Sequence, residues 1–142
     1  MTQVDFYILK NAAAGTRNVV ACRLADKAYQ SGHRVYLHTA CEGDSGELDD
    51  LLWTFQAGSF VPHARYPAEQ TPAPPVLIGH LDEPEVEPDV LINLSGVLPR
   101  FFARFTRVLE VVAPDDADRE RARERFRFYR ERGYPLASHD LG

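Results

Sequence analysis

Apolar and polar positions along this chain switch repeatedly between the period of a strand and the period of a helix. Residues 4–9, Val-Asp-Phe-Tyr-Ile-Leu, have the β-branched and aromatic enrichment of a buried strand. Thr16 then caps a helix running to about Gln30, with Val19, Val20, Cys22, Leu24, Ala25 and Ala28 at helical spacing and Gly32 as its stop. Residues 34–38 read as a second strand. Ser45 opens a second helical pattern through Leu48, Leu51, Leu52 and Phe55, ending before Gly58. Two short apolar runs, 76–78 and 90–94, are too short for helices and read as strands. A short helix is expected from Pro99 to Phe105, a fifth strand over 107–112, and a last helix capped by Asp115 or Asp116 and stopped at Gly133.

Strands alternating with helices imply βα units. The expected fold is therefore α/β: three Rossmann-like layers, with a mostly parallel sheet covered by helices on both faces. Five prolines between residues 62 and 75 (Pro62, Pro67, Pro72, Pro74, Pro75) exclude helix and central strand there, so the stretch is expected to be an ordered surface loop. No repeat or linker divides the chain, and its 142 residues are expected to form a single domain, 1–142.

Composition narrows the function. A hydrophobic fraction of 44% is too high for a disordered chain, and no apolar run approaches the ~18 residues that span a bilayer. No membrane partner is expected. Two cysteines, Cys22 and Cys41, cannot make a disulfide framework, and Met1-Thr2-Gln3-Val4-Asp5 has no leader character, so the cytoplasm is the expected compartment. A net charge of −5 argues against a general nucleic-acid binder. That average hides an asymmetry: residues 119–132 hold seven arginines and three glutamates, a local net charge of +4, whereas residues 82–89 hold five acids. The acidic run is most simply a solvated loop.

The obvious catalytic patterns fail on chemistry. The loop 10–16 follows the first strand, where nucleotide-binding folds place their phosphate cradle, but it has one glycine and no Lys-Ser/Thr pair after it. His38 and Cys41 have a ligand-like spacing, yet no second paired cluster accompanies them. Leu94-Ser95-Gly96 supplies only the trailing half of a nucleophile elbow. No cofactor or metal is expected, and no catalytic set is visible.

The last helix carries a sharper pattern. At 100° per residue from Arg119, Arg130, Arg123 and Arg127 fall at about 20°, 40° and 80°, while Tyr129, Ala122 and Phe126 fall at about 280°, 300° and 340°. A basic stripe borders an apolar one. If the apolar stripe docks on the sheet, the arginines frame a groove with Phe126, Tyr129 and Tyr134 as floor, suited to a short acidic peptide ending in a hydrophobic residue. The competing reading is a solvated face laced by pairs such as Glu120 with Arg123 and Arg127 with Glu131. A second constellation comprises Trp53 and Phe55, then Ser59-Phe60-Val61-Pro62-His63. Its aromatics either plug the core or form an apolar patch for another protein.

Taken in order, 4–9, 25–35, 48–55, 59–63, 89–94 and 122–129 resemble the chi subunit of bacterial DNA polymerase III holoenzyme. The segment from Trp53 to Ser59-Phe60-Val61-Pro62-His63 and the terminal Arg-rich Phe/Tyr helix are the specific parts. The resemblance implies a non-catalytic accessory subunit of the clamp-loader assembly. It would hold the acidic, Phe-ended C-terminal tail of single-stranded-DNA-binding protein, associating with single-stranded DNA only indirectly. It also implies that the tail is held by Arg119, Arg123, Phe126 and Arg127, beside which the helix geometry sets Tyr129 and Tyr134. Phe126 and Arg127 stand where the family commonly has tyrosine and lysine. A second surface, around Trp53, Phe60 and Pro62, is implied for the psi subunit or a competing helicase. Two other readings compete: a small nucleotide-binding α/β enzyme, and direct binding of single-stranded DNA by the arginine helix.

Overall fold

A computed structural model describes residues 1–81, 84–86 and 89–141. The acidic positions Asp82, Glu83 and Glu87, on which much of the solvated-loop reading rests, lie outside the described residues. Seven strands and three α-helices form among the described residues: β1 Gln3–Leu9, α1 Arg17–Gln30, β2 Val35–His38, α2 Glu42–Thr54, β3 His63–Arg65, β4 Val76–Gly79, β5 Val90–Asn93, β6 Arg107–Val112, α3 Asp116–Glu131 and β7 Leu136–Leu141. The strands make one sheet in the order β3-β4-β2-β5-β6-β1-β7, and every pairing is parallel.

Alternation along each strand divides the interior in two. Val35 and Leu37, Val76 and Ile78, and Val90 and Ile92 pack against Val20, Ala21, Leu48 and Leu52 of α1 and α2. Tyr36, Leu77 and Leu91 point the other way, joining Val4, Phe6, Val108, Phe101, Phe102 and Tyr129 under α3. The result is a three-layer Rossmann-like α/β fold. Each fully buried aliphatic side chain in these layers contributes roughly 1.5–3 kcal/mol through removal from water.

Several element boundaries differ from the sequence expectation. α2 begins at Glu42 rather than Ser45; Glu42 and Asp44 in its first turn suit the helix dipole, and Ser45 is buried with its hydroxyl 2.7 Å from that of Thr39. The proline-rich stretch is not all loop: His63–Arg65 pairs with β4 as a three-residue edge strand. The helix expected from Pro99 shrinks to one 3-10 turn, Phe102–Arg104. β7 was not foreseen at all, and it pairs with the outer side of β1.

Candidate functional site

The site is built around α3. Asp115 accepts a hydrogen bond from the Asp118 amide (3.0 Å), and the Asp118 carboxylate accepts one from the Ala113 amide (2.8 Å), so both polar ends of the first turn are used. Gly133 ends the helix at φ +79°, and the Tyr134 amide returns to the Tyr129 carbonyl at 3.1 Å. The capped sixteen-residue helix runs back over the sheet from the carboxyl end of β6 to the start of β7 beside Val4, so its first turns lie near the carboxyl ends of β6 and β1. There the chain reverses its order of travel, since β1 leads through α1 towards β2 while β6 leads through α3 to β7 on the other side. Such a switch point is where parallel α/β sheets gather their ligands.

A hollow of about 210 Å³ opens at this point, lined by Phe6, Ile8, Lys10, Val112, Arg119, Ala122, Arg123 and Phe126. Its floor is apolar. Register supplies it: Ile8 lies beside Val112, two residues along from Phe6 on the same face of β1. Phe126 meets Phe6 edge-on, with ring centroids 5.3 Å apart. A neighbouring hollow of about 220 Å³, lined by Arg123, Phe126, Arg127 and Arg130, shares two of these residues, so the two form one groove along the helix.

Cations rim this groove with few competing anions. Arg119 donates weakly to the carbonyls of Leu9 and Lys10, each at 3.4 Å, and its buried Nε has no hydrogen-bond partner among the described residues. Arg123 reaches Glu120 at 3.3 Å, but that pair is largely solvated and contributes little. Arg127 and Arg130 make no ion pair among the described residues. The reading of α3 as a self-paired face thus accounts for Arg123 and Glu120 but not for Arg127 with Glu131.

The structure separates the candidates. Arg119, Arg123, Phe126 and Arg127 come together at the groove. Tyr129 does not: it is fully buried, its hydroxyl donating to Glu110 at 2.9 Å, so it lies beneath the groove and offers a ligand no surface. Tyr134 is half-buried beyond the end of α3, packed 5.2 Å from the Phe102 ring and away from the lining. Sequence reasoning missed Lys10, which supplies the wall opposite α3, and the floor residues Phe6 and Ile8. The signal was present: period-2 alternation puts Phe6 and Ile8 on one face, and Lys10 follows the carboxyl end of that strand.

The second constellation divides: Trp53 and Phe60 form a surface patch, whereas half-buried Phe55 packs against the core. Trp53 is 58% and Phe60 63% exposed, their centroids 6.0 Å apart, with half-buried Pro62 following. Val61, at 1% exposure, is what actually plugs the core. Beneath Trp53 the His63 ring lies 4.5 Å away, anchored by contacts from its two nitrogens to the Val61 carbonyl (2.6 Å) and the Asp49 carbonyl (3.1 Å). This patch sits at the amino end of the sheet, by β3 at the far edge from the groove.

Elsewhere the loop after β1 uses its own amides: Ala13 donates to the Asn11 side chain (2.8 Å), Gly15 to the Ala12 carbonyl (3.0 Å) and Val19 to the Thr16 hydroxyl (3.2 Å). Few are left to cradle a phosphate. A wider hollow, about 540 Å³ near the amino ends of β2 and β4, is bordered by Arg34 and Arg104, both already donating to backbone carbonyls. Among the described residues, no group of three or more His, Cys, Asp or Glu is placed to hold a metal, and no helix is long and apolar enough to cross a membrane.

Fold and groove together define a parallel-sheet α/β protein that presents a basic, apolar-floored surface at its topological switch point. The family model described as DNA polymerase III chi subunit, HolC, matches residues 1–137, and the chain belongs to that family. Among relatives, it is 47% identical to the DNA polymerase III subunit chi of Pseudomonas aeruginosa, over 99% of this chain and 98% of the relative. The corresponding proteins of Haemophilus influenzae and Escherichia coli are 34% and 32% identical, each alignment covering 96% or more of both chains.

Proposed function

We propose that this chain is a non-catalytic accessory subunit of the DNA polymerase III clamp-loader assembly, working in the cytoplasm. It links that assembly to single-stranded-DNA-binding protein by holding the latter's acidic C-terminal tail. The observation that carries the reading is the groove itself: a floor of Phe6, Ile8, Val112, Ala122 and Phe126 under a rim of Lys10, Arg119, Arg123 and Arg127. An aromatic terminal side chain fits the floor, and carboxylates fit the guanidinium forks at the rim. Contact with single-stranded DNA is then indirect, through the partner. The exposed Trp53 and Phe60, with Pro62, serve as the second docking surface, for the psi subunit or another replication or repair protein.

The test is a titration of a fluorescent acidic peptide ending in phenylalanine. Wild type binds with a Kd on the order of micromolar, weakening as salt rises from roughly 0.05 to 0.3 M. Arg123→Ala raises the Kd about 5- to 10-fold, in line with loss of one charge-assisted contact. Unchanged affinity in that variant removes the groove as the binding site.

A further inference from the structure

The layer between α3 and the sheet is polar at its centre. Glu110 of β6 is fully buried, and its carboxyl group accepts from Asn93 Nδ2 (3.0 and 3.1 Å), Arg125 Nε (3.2 Å) and the Tyr129 hydroxyl (2.9 Å). Two of these partners are positions 125 and 129 of α3, one turn apart, and the third lies in register on β5, where Asn93 is opposite Glu110. Arg125 is closed off on its far side by donating to the Gly96 carbonyl at 2.9 Å.

The fully buried face of α3 is Asp118, Ala122, Arg125 and Tyr129, of which only the last has a large apolar surface, with half-buried Phe126 and Phe128 packing at its margins. Methyl and ring contacts are non-directional, whereas hydrogen bonds to a fixed carboxyl group restrict angle as well as distance. Phe126 follows Arg125 directly and meets Phe6 at the edge of the interface. A modest roll of the helix would lift its ring from the floor and turn Arg123 outwards.

We infer that Glu110 is a positioning residue for the groove: through Arg125 and Tyr129 it sets the rotation of α3 that places Phe126 over Phe6 and Arg123 at the rim. This rests on the proposed tail-binding function, and one arm of the test is independent of it.

The experiment uses the full chain as wild type, Glu110→Gln and Tyr129→Phe, each checked for folding by circular dichroism at the assay temperature. Tyr129→Phe removes one hydroxyl and keeps the ring, so it remains informative if Glu110→Gln does not fold. In the first arm the acidic Phe-ended peptide binds Glu110→Gln about 5- to 10-fold and Tyr129→Phe about 2- to 3-fold more weakly than wild type, and Glu110→Gln costs less than about 2-fold in a Phe126→Leu background. A merely structural role would lower affinity by the same factor in both backgrounds. In the second arm, 4-fluorophenylalanine at position 126 gives one sharp fluorine resonance in wild type and a shifted or broadened one in the variants, with no peptide present. If wild type fails to bind the peptide, the proposed function falls and the fluorine arm still decides this inference. Folded variants with an unmoved resonance, or equal losses in the two backgrounds, overturn it.

Discussion

Burial sets the chemistry of individual side chains here. Removal from water pushes the Cys22 thiol up to about 12, and burial, then the charge of Glu110 and the hydrogen bond to it, raise the Tyr129 hydroxyl above its ordinary range. Glu110 is itself raised by burial, against the opposing effects of Arg125, Asn93 and Tyr129. For Cys22 the folded chain keeps a proton that the unfolded chain releases above its ordinary value of 9.0. Its stabilising contribution is thus complete below about 9 and is lost as pH rises towards about 12, with Tyr129 adding the same sense of change above 10.0. Denaturant titrations between pH 8 and 11 are expected to show stability falling by up to about 1.4 kcal/mol per pH unit for each such group. Tyr129→Phe flattens the upper part of that profile; an identical profile in the variant removes Tyr129 from this account.

At the scale of elements, α3 is positioned by its caps as well as by its buried face. Asp115→Ala is expected to destabilise the protein by about 1 kcal/mol, read as a lowered denaturation midpoint, because it leaves the Asp118 amide without its acceptor. The helix was legible in sequence, with Gly133 as its stop and the cap narrowed to Asp115 or Asp116, and so were β1, β2, β4, β5 and β6, since period and turn residues agree there. Its inner face was not. Arg125 falls at about 240° on the wheel that sets Arg119 at zero, inside the buried stripe, and its tertiary partners, Glu110 and the Gly96 carbonyl, make an arginine tolerable there. The wheel set Tyr129 in the apolar stripe beside Phe126 and so drew it into the floor, because period alone does not tell a ring sealed under the helix from one at its edge. β3 and β7 escaped for related reasons: three residues among prolines have no readable period, and Leu-Ala-Ser-His-Asp-Leu, with Ser138, His139 and Asp140 exposed, lacks the apolar character of a buried strand. Their pairing is supplied by neighbours already in place.

On the scale of the whole molecule the groove and the Trp53–Phe60 patch occupy opposite parts of the sheet, one near β1 and β6 at the carboxyl end, the other beside β3 at the amino end. Occupation of one leaves the other open, as the proposed linking role requires. A Trp53→Ala, Phe60→Ala double variant is expected to keep its stability within about 1 kcal/mol, because both rings are mostly in water. It should also hold the acidic peptide with wild-type affinity and lose the second partner, measured by co-elution with psi. A loss of peptide binding would show instead that the two surfaces are coupled.

The place of β1 has a temporal consequence. β1 is made before both of its neighbours, β6 and β7, and each of those pairings joins residues more than 100 positions apart. During synthesis β1 must wait, with its backbone amides satisfied by water or a chaperone, until β6 and β7 have emerged. Only then can the groove form, so an unfinished copy presents neither its apolar floor nor its basic rim.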